Sequence, residues 1–141
     1  MAKIYSYQKV TDQFTTYCLS EPDYNLLSSE DHITELCTIE ETTYVSIPNN
    51  ITLPEQSDKI KSTLKEIDLS NNLDLKEQIK TISSQINLIN DRVVEKIRTK
   101  FSINDEIKIL RAGTPEESNL YNAFVEECVL WGRIEKEKLG V

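Results

Sequence analysis

Between Leu75 and Val93 the apolar residues fall at steps of four, three, four, three and four: Leu75, Ile79, Ile82, Ile86, Ile89 and Val93. This is a heptad seam, with Ile79, Ile86 and Val93 at a positions and Leu75, Ile82 and Ile89 at d positions. Nearly everything between them is polar. A thin apolar line on a polar rod must be covered by another helix, and two covers fit. One is intramolecular, from residues 57–68 or 115–139. The other is a second copy of the chain. Isoleucine at both a and d favours three or more strands over a parallel dimer, so a homo-oligomer built on this seam is expected to be a trimer. The e and g positions Lys76, Gln78, Ser83, Gln85, Asn90 and Arg92 are mostly uncharged and add little pairing specificity.

The chain has only 3 glycines and 4 prolines in 141 residues, which suits long helices better than a loop-rich fold. The expected class is α+β: a small antiparallel β head at residues 1–56 followed by a helical arm at 57–141. In the arm, an oligomeric coiled-coil seam spans 75–101, and a helix at 115–139 folds back antiparallel as the second limb of a C-terminal hairpin. Charge is uneven. Residues 1–57 hold two basic against nine acidic groups, a net of −7, and the remainder nets −1. An acidic head repels phosphate polymers, which argues against a nucleic-acid partner. Three scattered cysteines do not form a disulfide framework. The opening MAKIYSYQKV lacks a secretory apolar core, and no apolar run approaches the ~20 residues that span a bilayer. The expectation is a chain made in a cytoplasm, with no membrane partner.

In the head, Ile4–Tyr7 and Gln13–Leu19 are β-rich runs that pair as a hairpin around Thr11–Asp12. SEPDYNLLSSED reads as a loop anchored by Leu26 and Leu27. Leu36–Ile39 and Thr43–Ile47 form the clearest hairpin, turning at Glu40–Thr42. In its second strand Tyr44 and Ser46 point to one face, and Thr43, Val45 and Ile47 to the other. PNNITLPEQS is an extended strap. Ser57 caps a helix with Ile60, Leu64 and Ile67 on one side. After Val93 the stripe drifts through Ile97 and Phe101. Ser102 either caps a new helix with Asp105 or lies inside one continuous helix to about Arg111, and the continuous form is the expected one. Ile103, Ile107 and Leu110 then face inward. Ala112–Gly113 stops that helix. Thr114, Pro115 and Glu117 start the last one as a capping box. The hairpin is expected to be packed by Ile103, Ile107 and Leu110 against Phe124, Cys128 and Trp131.

No constellation supports catalysis. His32, Cys18 and Cys37 lack structural-zinc spacing, and Asp31–His32 has no nucleophile in a recognisable motif. Glu126, Glu127, Glu135 and Glu137 are followed by or interleaved with Arg133, Lys136 and Lys138, which describes a solvated face. Gly113, Gly132 and Gly140 are too scattered for a phosphate loop. The expectation is a non-enzyme with no cofactor and no metal.

The opening KIYSYQKVTDQF resembles the start of small tail-fibre-associated proteins of tailed bacteriophages. The arm INDRVVEKIRTKFSINDEIKILR, with YNAFVEECVLWGR after it, is similar to the C-terminal helical region of small phage and prophage proteins encoded near tail genes. The resemblance implies a structural or assembly protein of the tail or tail fibre. Its implied partners are other tail or fibre proteins, and its place is the virion after synthesis in the host cytoplasm. An alternative is a soluble chaperone that masks a fibre or effector before assembly.

Overall fold

A computed structural model describes residues 2–22 and 32–141. The elements are β1 (Ala2–Gln8), β2 (Val10–Thr11), β3 (Thr16–Tyr17), β4 (Thr34–Ile39), β5 (Thr42–Pro48), α1 (Asp58–Lys61), β6 (Lys65–Ile67), a 3-10 turn (Leu69–Asn71), α2 (Leu73–Ile82), α3 (Ser84–Arg98), α4 (Ile103–Ala112) and α5 (Pro115–Lys138). The architecture is α+β, an N-terminal antiparallel sheet and a C-terminal helical region. The expected anchors Leu26 and Leu27 lie outside the described residues.

The four-stranded sheet runs β4–β5–β1–β6. The β4–β5 hairpin forms where the alternating residues predict it. Its turn is only Glu40–Glu41, both at positive φ (46° and 72°), which matches the twist of the flanking strands. In β4 the register slips between Glu35 and Cys37, so Leu36 is an extra residue opposite β5. The bulge lets Leu36 and Cys37 both reach one core.

The first predicted hairpin is not the one that forms. β1 pairs with β5, Ala2 opposite Pro48 through Gln8 opposite Thr42, and with β6 on its other side. Residues 10–17 make only a two-rung clip, with Val10 opposite Tyr17. The predicted helix beginning at Ser57 is a single turn, and Lys65–Ile67 then serve as the edge strand beside β1. The sheet therefore extends past residue 56 into the segment assigned to the arm. Edge pairing satisfies more backbone groups of β1 than a short helix with one apolar row would.

Both faces of the sheet are covered. On one, Tyr7, Val45 and Ile47 pack with Leu19, Ile51 and Ile60, so the strap and α1 close it. Gln56 holds the strap: its Nε2 donates to the carbonyls of Ser20 (3.1 Å) and Pro54 (2.8 Å), and its Oε1 accepts from the Ser20 amide (2.7 Å). On the other face Ile4, Leu36, Cys37 and Tyr44 meet Ile79 of α2, Ile86 and Ile89 of α3, Leu69 and Val141.

The seam is thus covered from within the same chain, by the sheet at Ile79 and Ile86 and, as one of the expected covers, by α5 at Ile89 and Val93. It is also not one rod. Ser83 is extended (φ −61°, ψ 122°), its amide donates to the Ile79 carbonyl, and its hydroxyl accepts from the Ile86 amide. Adjacent serines compete with the helical backbone for hydrogen bonds, and here they end one helix and cap the next. Ile79 and Ile86 are 0% and 1% exposed, but Ile82, beside the break, is 51% exposed. Leu75 and Val93 are half-buried.

The continuous helix to Arg111 does not form either. α3 ends at Arg98, with Thr99 as its C-cap, and Ser102 opens α4 with a full capping box to Asp105. Thr114 caps α5 by accepting from the Glu117 amide at 3.2 Å, which is one half of the expected capping box. Gly113 stops α4 without left-handed backbone: at φ −68° it is required because a Cβ would meet the Ile109 carbonyl oxygen at 2.6 Å.

α5 runs antiparallel along α3 rather than chiefly along α4. Gly132 permits the approach, since a Cβ there would overlap Val93 Cγ2. α5 closes with a Schellman motif: Gly140 sits at φ 84°, its amide donates to Glu137, and the Val141 amide donates to Lys136. Val141 is buried in the sheet–helix core.

Candidate functional site

Beyond the sheet, the end of α3, α4 and the first half of α5 form a helical tip. Phe101, in the link between α3 and α4, is its pivot. Its ring meets Tyr121 edge-on, centroids 5.1 Å apart at 86°, and Phe124 at 5.7 Å. Lys100 Nζ lies 4.9 Å from the Phe124 centroid, and Lys96 Nζ lies 4.6 Å from that of Trp131. Arg98 Nη1 and Glu106 Oε1 are 2.8 Å apart, and the Tyr121 hydroxyl donates to the same oxygen at 2.7 Å. Arg98 first, then Tyr121, holds the Glu106 carboxyl below the usual carboxylate range, and the bond to Glu106 pushes the Tyr121 phenol up. The clasp ties three helices with charge-assisted hydrogen bonds.

Against this polar clasp, α4 buries no residue. Ile103, Ile107 and Leu110 are 61%, 46% and 75% exposed. The inward packing predicted for them is overturned. α4 instead turns Glu106 and Ile109 toward the tip, and its most apolar face is left in water. Of the other residues expected to pack the hairpin, Cys128 is buried and Phe124 and Trp131 are half-buried. Trp131 adjoins α3 and the sheet core instead of α4.

Between α4 and α5 lies an open groove of about 460 Å³. Phe101, Ile109 and Leu120 supply its apolar lining, and Lys100, Lys108, Asp105 and Glu117 its charged rim. Leu120 is exposed there, as are Leu130 and Ile134 further along α5. A shallow apolar groove rimmed by both signs of charge fits a helix or peptide face better than a small metabolite. In the sheet region one more large apolar side chain stands clear: Phe14, 94% exposed, on the β2–β3 clip. Its loop is held rigid by Asp12, whose Oδ1 accepts from the amides of Phe14 and Thr15.

The sequence reading missed Arg98, Glu106 and Tyr121 as a unit and Phe14 as an exposed tip. The Ser102–Asp105 box was the available signal for the first, because a new helix there brings Glu106 back over Arg98. His32, Cys18 and Cys37 do not converge. Cys37 is buried in the sheet–helix core, which pushes its thiol pKa up, while Cys18 is exposed. Among the described residues no group of three or more His, Cys, Asp or Glu is arranged to hold a metal ion, and no helix is long and apolar enough to cross a membrane. No known protein family, curated protein or solved structure matches this chain.

Proposed function

We propose that this chain is a non-enzymatic assembly protein of a bacteriophage tail or tail fibre, carried into the virion after synthesis in the host cytoplasm. It docks its partners through the helical tip, with the β head and its exposed Phe14 as a second contact. The observation that carries the assembly role is α4: a complete amphipathic helix whose Ile103, Ile107 and Leu110 lie uncovered on one face. An apolar face of that kind is stabilised by a protein partner. The phage attribution is supported by the resemblance of the opening and of the arm alone. The central seam is not the contact proposed, because Ile79, Ile86 and Ile89 are occupied by the chain's own sheet and α5.

The test is to follow the tagged chain through purification of the particles of its source phage or prophage. Fixed copy number in finished particles is expected. Absence from particles, together with binding to a fibre protein before assembly, would replace the structural subunit with a chaperone. Association with neither would sink the assembly role.

A further inference from the structure

We propose that the cleft where α2, α3 and the end of α5 meet is a binding site for an oligophosphate anion, either a free chain or the phosphates of a nucleotide. The inference is independent of the assembly role.

The cleft encloses about 490 Å³, a volume usual for small-molecule sites. Lys76 and Lys80 enter it from α2, and Arg133 and Lys136 from α5. Asn90 of α3 adds an amide. The helices meet here because Gly132 lets α5 lie close on α3 at Val93. Against the four cations the lining sets the Glu137 carboxylate, and the excess stays positive even with the α-carboxylate of Val141 counted. The last carbonyls of α5 do not compete for these cations, since those of Lys136 and Glu137 accept from the Val141 and Gly140 amides.

This cluster runs against the charge of the chain, which nets −8. Lys3, Lys9, Lys59, Arg98 and Lys138 each pair with a carboxylate. Among the described residues none of the four cleft cations does so. Like charges at i and i+4, as in Lys76 and Lys80, or at i and i+3, as in Arg133 and Lys136, destabilise a helix. Lys80 and Lys136 lie in the last turns of their helices and complement the dipoles there. Lys76 has no such role: it is the fourth residue of α2, toward the end that disfavours a cation. An anion bound between the two pairs removes the repulsion. Lys76, Lys80 and Lys136 are half-buried, so part of the entropy of these long side chains is already lost on folding.

The arrangement favours phosphate over an acidic protein segment. A guanidinium offers forked donors to phosphate oxygens, and lysines add point charges. An oligophosphate concentrates its charges in one compact chain, which suits an enclosed cleft, whereas a peptide spreads its carboxylates along its length. The acidic excess of the chain lies in residues 1–57, and charges beyond a Debye length, about 8 Å at physiological ionic strength, are screened.

Calorimetric titration with sodium tripolyphosphate tests the site. One saturable site per chain is expected on the native protein at low salt, weakening as salt rises. Lys76→Gln and Arg133→Gln, one from each helix, are each expected to lower the affinity about tenfold, the loss of one charge-assisted hydrogen bond. Lys61→Gln removes an exposed cation on α1, across the sheet, and is expected to change it by less than about twofold. Circular dichroism melts check that each variant is folded. Tripolyphosphate is expected to raise the melting temperature of the native chain more than that of either cleft variant. Adenosine triphosphate titrated alongside separates the two sources: tighter binding than tripolyphosphate assigns the site to a nucleotide, weaker binding to the free chain. Absence of saturable binding to the native chain, an equal loss in Lys61→Gln and the cleft variants, or binding of a hexaglutamate peptide without binding of tripolyphosphate would each overturn the inference.

Discussion

Glu106 shows how one residue organises the tip. Its carboxylate takes Arg98 and Tyr121 at once, and through them ties α4 to α3 and α5. The lowered Glu106 pKa fixes the sign of its pH dependence. A carboxyl depressed by folding stabilises the native state above its unfolded value of about 4.3, and that contribution is lost as pH falls through the lower folded value. The melting temperature of the native chain is thus expected to exceed that of Glu106→Gln by a constant margin from neutrality down to roughly pH 5, and the margin to close on further acidification. Thermal melts of both proteins across that range check it. A margin that ignores pH would mean that the charge on Glu106 does not hold the tip.

At the scale of elements, six residues written as one seam have unequal roles. Ile79, Ile86 and Ile89 are core; Leu75 and Val93 are half-covered; Ile82 faces water. The periodicity of the six is uniform, so only the break at Ser83 separates them. Ile86→Ala should cost about 2–5 kcal/mol, the range for truncating a buried isoleucine. Ile82→Lys should stay within about 0.5 kcal/mol, as exposed positions do. Urea titration of the two variants decides it; equal losses would restore a single covered rod. The same contrast explains why α4 misled the sequence reading. An amphipathic stripe states that a face is apolar and is silent on whether the folded chain covers it. Heptad spacing likewise says that a line will be buried, but a sheet can bury it as well as a helix can.

At the scale of the molecule, the sheet is the hub. β1 lies between β5 and β6, and its Ile4 shares one core with Ile86 of α3 and with Val141 beyond α5. Head and arm therefore share a core instead of meeting at a linker. One cooperative unfolding transition is expected, with the β and helical signals melting together. Val141→Asp, which places a carboxylate in that core, should lower both by the same amount. Circular dichroism and Trp131 fluorescence followed in the same melt provide the check, and two separated transitions would contradict it.

Much of this was readable locally. The β4–β5 hairpin follows from alternation over Leu36–Ile47, the strap from its prolines, the start of α5 from Thr114–Pro115, and the α+β class from the change from alternating strands to the three-and-four spacing that begins at Leu75. These features are set by residues within a few positions of one another, through backbone preference and side-chain caps. The partner of β1, the conversion of Lys65–Ile67 to an edge strand, the burial of Ile79 and Ile86 under a sheet, and the exposure of Ile103, Ile107 and Leu110 were not readable in that way. Each depends on which distant surface reaches an apolar face first, and the hydrophobic effect is non-directional: it rewards cover without naming the element that supplies it.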